Sequence, residues 1–63
     1  MDHVQFWIQR GKELRKEGIL NADNMTSDYL ACYCCSEVDH EQWDAFYANE
    51  TEIMEAVFPE LKG

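Results

Sequence analysis

From Val38 to Pro59 the chain reads VDHEQWDAFYANETEIMEAVFP, with a helix start and a helix stop both written into it. Asp39 can cap a first turn through its carboxylate, and Gln42, three residues on, can return a hydrogen bond to the backbone of Asp39. Val38 and Trp43 stand at the positions of a hydrophobic staple across that start. Downstream, Trp43, Phe46, Tyr47, Ile53, Met54, Val57 and Phe58 recur at helical spacing. Pro59 closes the segment, because its ring and missing amide hydrogen cannot continue the ladder. One residue disturbs the stripe: on an unbroken helix, Glu50 points into the apolar face. Asn49 with Glu52 offers a second capping box, so the segment is either one helix or two that part near Asn49.

The segment before it is less clear. Tyr29, Leu30, Cys32, Tyr33, Cys34 and Cys35 make an apolar run with no visible period. Such a run is either a central buried helix or a short buried strand. Thr26 or Ser27 as cap, and helices on both sides, favour a helix over about Asp28 to Glu37. Asn21-Ala22-Asp23-Asn24 is a turn, since Asn and Asp side chains bond their own backbone. Ahead of it, a helix is expected from about His3 to Glu17. Asp2 caps it, and Val4, Trp7, Ile8, Gly11 and Leu14 form one face. Gly18 supplies the left-handed residue that ends it, with Ile19 brought back onto Leu14. The architecture expected is a single all-α domain over residues 1–63, a small bundle of three helices, or four with the break. A chain of 63 residues carrying eight aromatics and three methionines has more apolar surface than one small core hides. The surplus would serve a partner or a second copy of the chain, so a homodimer is compatible with it.

Charge narrows the function. Thirteen acidic side chains against five basic ones give a net charge of −8. Residues 1–17 hold Arg10, Lys12, Arg15 and Lys16 against Asp2, Glu13 and Glu17, whereas residues 18–63 hold ten acids against Lys62 alone. Direct nucleic-acid binding is not expected, because phosphate neutralisation needs clustered Lys and Arg. No run reaches the roughly 20 apolar residues that span a bilayer, and Met1-Asp2-His3-Val4-Gln5 lacks the basic start of a signal peptide. A cytoplasmic protein is the expectation. Cys32, Cys34 and Cys35 are an odd number within four positions, so they do not read as a disulfide framework. Zinc ligation by Cys32 and Cys35 with His3 or His40 does not match the paired spacing of structural sites. The cysteines are expected to pack as small hydrophobes, with no metal and no cofactor. No nucleophile, base and oxyanion donor are set out together, and enzymatic activity is not expected.

At about 100° per residue, Glu41, Asp44, Glu52 and Glu55 fall in one narrow sector, which Glu37 prolongs, and an unbroken helix would spread them over on the order of 20 Å. No Lys or Arg lies between Lys16 and Lys62 to neutralise them. A solvated face usually intersperses both signs, so the missing counter-charge points to a basic partner surface. A carboxylate row of that length can imitate a stretch of phosphate backbone, which carries one charge per roughly 1.7 Å of duplex. In size, charge and fold class the chain resembles the small acidic proteins that phages make against bacterial defence, including anti-CRISPR proteins and DNA mimics. That resemblance implies a viral inhibitor acting in the host cytoplasm. Glu37, Glu41, Asp44, Glu52 and Glu55, with Phe46 and Tyr47 as the dry centre, would occlude the basic groove of a nuclease, defence complex or transcription protein. An alternative is a helical assembly subunit or adaptor working through an aromatic and Met surface, with Phe46, Met54 or Phe58 as sensitive positions. Another is a transcription regulator that binds a sigma factor or polymerase.

Overall fold

The computed structural model describes residues 2–24, 26–34 and 36–62. Among these residues four α-helices follow in order, α1 His3–Lys16, α2 Ser27–Cys34, α3 His40–Ala48 and α4 Glu50–Val57, and a 3-10 helix, Pro59–Lys62, comes after them. Among the described residues there is no strand. The bundle is all-α, the ambiguous middle segment is helical, and the segment after Asp39 is two helices. Cys35 lies outside the described residues.

The helix ends follow the chemistry of their residues. Asp2 accepts from the Gln5 amide at 2.7 Å and caps α1. At the other end Gly18 takes φ 81, and the Ile19 amide returns to the Leu14 carbonyl at 2.9 Å while the Gly18 amide reaches Arg15 at 3.0 Å. These are the two bonds of a Schellman stop. The turn beyond is tied by its own Asn side chains, with Asn21 Oδ1 accepting from Asp23 N and Asn24 Nδ2 donating to the Ile19 carbonyl. Asp39 and Gln42 form the reciprocal box at the start of α3, at 3.0 and 2.9 Å. The second box does not form. Asn49 turns its amide back onto the Ala45 carbonyl at 3.0 Å and gives α4 no side-chain cap. The Asn49 side chain thus joins its own backbone amide on the end of α3 and leaves the first turn of α4 without a side-chain cap.

Among the described residues, ten buried side chains make the core: Trp7, Leu14, Leu20, Leu30, Cys34, Phe46, Ile53, Met54, Val57 and Phe58. α1 packs along both α3 and α4. At the α1–α4 crossing Gly11 leaves the space that the Val57 methyls fill; a Cβ there would stand 2.5 Å from Val57 Cγ2. Against α3, Trp7 lies at ring-centroid distances of 4.4 Å from Phe46 and 5.4 Å from Trp43, and its Nε1 donates to the Gln42 carbonyl at 2.8 Å. Burial of the large indole therefore comes with its one polar atom satisfied. α2 is half as apolar in use as in composition. Leu30 and Cys34, four residues apart, face the core, whereas Tyr29, Cys32 and Tyr33 are exposed. The expectation of an inward role for the cysteines thus holds for Cys34 and fails for Cys32.

Candidate functional site

The helix break changes the geometry of the acidic row. Glu41 and Asp44 stand three residues apart on α3, and Glu52 and Glu55 three apart on α4, so the single row becomes two pairs on two helices. The side chains of Glu41 and Asp44 are 82% and 72% exposed. Their ion-pairing neighbours among the described residues are imidazoles: His3 Nε2 at 3.7 Å from Glu41 and His40 Nε2 at 3.8 Å from Asp44. Each counts as an ion pair only when the imidazole is protonated, and no Lys or Arg lies against either acid. Glu52 is exposed and Glu55 half-buried, and neither has a basic partner among the described residues. Glu50, Thr51, Met54 and Glu55 of α4 line a shallow open depression with Leu61 of the 3-10 helix.

Glu37 leaves the set. Arg10 grips it with two bonds, Nε to Oε2 at 3.0 Å and Nη2 to Oε1 at 3.1 Å, while Nη1 donates to Glu13 at 3.1 Å. The hydrogen bond to Glu13 and the nearby charge of Glu37 hold the Arg10 guanidinium above its ordinary pKa, against the opposing effect of burial. Phe46 leaves it as well. It is 1% exposed, enclosed by Trp7, Trp43 and Tyr47, and its place is in the core. Met54 and Phe58 are buried too, so an adaptor surface built on Phe46, Met54 and Phe58 is removed. Tyr47 behaves otherwise. It is 67% exposed, and its ring stacks on Trp43 at 5.9 Å with 21° between planes. On α3 the outward residues are His40, Glu41, Asp44, Tyr47 and Ala48, which places Tyr47 beside the acids.

Sequence spacing missed the use made of the second arginine. Arg15 donates to both carboxylate oxygens of Glu60, at 2.9 and 2.8 Å, and to the Val57 carbonyl at 3.0 Å, with its guanidinium 5.0 Å from the centroid of the Phe58 ring. The partners are 45 residues apart, so no local pattern could announce the contact. The hydrogen bond from Arg15 holds the Glu60 carboxyl below the usual carboxylate range, helped by the backbone amide of Glu60 itself. A depressed carboxyl stabilises the fold above its unfolded value, about pH 4.3, and that stabilisation disappears as pH falls through the folded value. Glu60→Gln should therefore lower the melting temperature at pH 7, with the difference from the parent closing below about pH 4. Melting curves of both chains across that range are the check, and a gap that widens on acidification would contradict the assignment.

Among the described residues, no three His, Cys, Asp or Glu side chains come together as metal ligands, and no helix is long and apolar enough to cross a membrane. No protein-family model, curated protein or solved structure matches this chain.

Proposed function

We propose that this protein is a binding protein that inhibits by occupancy: the acidic outer faces of α3 and α4 seat on a cationic protein surface of the kind that holds nucleic acid. The observation that carries the reading is the division of charge. Arg10 and Arg15 are engaged with Glu13, Glu37 and Glu60, whereas Glu41, Asp44 and Glu52 are exposed and Glu55 half-buried, with no Lys or Arg of the chain against them. A net charge of −8 on 63 residues works against the compact state through self-repulsion. A cationic partner relieves that repulsion, and its field also speeds encounter. Two short acid pairs on separate helices suit complementarity to a basic patch better than imitation of the regular phosphate spacing. Tyr47 supplies an aromatic anchor among the acids, a residue type enriched at interface hot spots.

The test compares the parent chain with Glu41→Lys/Asp44→Lys. Both are immobilised, exposed to bacterial lysate and washed with rising salt, and each captured protein is then purified and assayed for nucleic-acid binding with and without the chain. The expected result is a captured protein that loses nucleic acid to the parent chain and binds the double variant at least about tenfold more weakly, since each reversal removes an attraction and adds a repulsion. Helix content should be unchanged, because both side chains are exposed. Equal binding by the double variant would overturn the reading.

The other surface is the exposed face of α2, where Tyr29 and Tyr33 lie four residues apart with Cys32 between them. The adaptor reading, if moved off the buried aromatics, would rest on this face.

A further inference from the structure

We propose that Tyr47 and Asp44 form a seat for an arginine side chain, so that the cationic surface taken by α3 is arginine-bearing and not merely basic. This inference rests on the acidic-surface reading above and names the partner chemistry within it.

Tyr47 is the most exposed large hydrophobic residue described, at 67%, yet its ring is not loose. Trp43 takes one face at 5.9 Å, Phe46 meets it edge-on at 5.7 Å, and Trp43 is itself held by Trp7 at 5.4 Å. A ring fixed in advance loses little freedom when a partner covers it. Asp44, three residues earlier on α3, is its neighbour on the helix surface and lies open to solvent. A guanidinium can lie flat on an aromatic face while its edge N–H groups reach a carboxylate. An ammonium is a compact point charge that cannot divide itself between the two in this way.

The fold already contains this arrangement once. Arg15 sits over the Phe58 ring at 5.0 Å and donates two hydrogen bonds to Glu60, two residues further on. That site is filled from within the chain. At Tyr47 the ring and the carboxylate are present, and among the described residues no arginine of the chain reaches them. Tyr29 and Tyr33 of α2 are exposed as well, at 47% and 48%, but no described ring supports either of them.

The experiment titrates the full chain, by calorimetry at low salt, with two peptides of equal length, hexa-arginine and hexa-lysine. The parent chain, Tyr47→Phe, Tyr47→Ala and Asp44→Asn are compared, with circular dichroism as the control for folding. The quantity read is the ratio of the two affinities, because any acidic surface attracts both peptides. In the parent chain the arginine peptide is expected to bind about fivefold more tightly than the lysine peptide. Tyr47→Phe should keep that preference, and Tyr47→Ala and Asp44→Asn should reduce it towards that of a featureless acidic surface. A preference unchanged by Tyr47→Ala overturns the arginine seat while leaving the acidic surface standing. Failure of both peptides to bind overturns the seat together with the reading beneath it.

Discussion

A chain carrying Trp7→Ala is expected to be largely unfolded at 25 °C. Trp7 is 0% exposed and touches the rings of Phe6, Trp43 and Phe46, while its indole N–H ties α1 to the Gln42 carbonyl of α3. Truncating a buried Trp to Ala costs about 3–5 kcal/mol, the sum of lost burial and the cavity left behind. A single core in a domain this short rarely supplies more than about 3–5 kcal/mol in total. The loss therefore matches or exceeds what holds the fold together. Urea titration followed by far-ultraviolet circular dichroism is the check: the parent should show a cooperative transition and Trp7→Ala should show none. A transition at the parent midpoint would mean that the aromatic cluster is not the centre of the core.

The second large effect lies on the same buried face of α1, one turn further along. Gly11→Ala is expected to destabilise the protein by up to about 2 kcal/mol, although alanine is the better helix former by about 1 kcal/mol. The added Cβ would lie 2.5 Å from Val57 Cγ2 and 2.9 Å from Cγ1. Val57 is branched at Cβ, so its methyls have few rotamers into which to retreat, and overpacking costs about 1–3 kcal/mol. The clash outweighs the gain in propensity. Combining Gly11→Ala with Val57→Ala separates this cause from others, because the new methyl then enters space that the valine has vacated. The double variant should be more stable than the sum of the two single losses predicts. Strict additivity would show that the two residues do not meet.

The elements most legible in the sequence were those whose ends are set by neighbours in the chain. The Asp2 cap, the Gly18 stop and the Asp39–Gln42 box each rest on bonds spanning three to six residues, and each formed as its residues imply. Asn49 shows the limit of that logic. Its spacing to Glu52 fits a capping box, but the side chain turns back to the Ala45 carbonyl, which the Asn49 backbone amide also reaches. In α2 the composition concealed the face. A run of Tyr, Leu, Ala and Cys has no polar residue to mark the wet side, and only the docking of Leu30 and Cys34 decided it.

The candidate site divides along the same line. Glu41, Asp44 and Tyr47 were visible as residues of one helix, and the structure places them on a shared outer face. The pairing of Glu37 with Arg10 and of Glu60 with Arg15 depends on contacts across 27 and 45 residues, which charge counting along the chain cannot see. Phe46 was misplaced because a stripe of aromatics at helical spacing does not say which of them Trp7 will cover. The ring nearest the centre of the stripe went inward, and Tyr47, at its margin, stayed out.

The close approach of Gly11 and Val57 also bears on descent. In a related chain, a larger residue at the first position would need a smaller one at the second, and loss of Arg15 would release Glu60 to change. Substitutions arriving in such pairs, more than any single invariant letter, are the trace by which distant kin of so short a chain would be known.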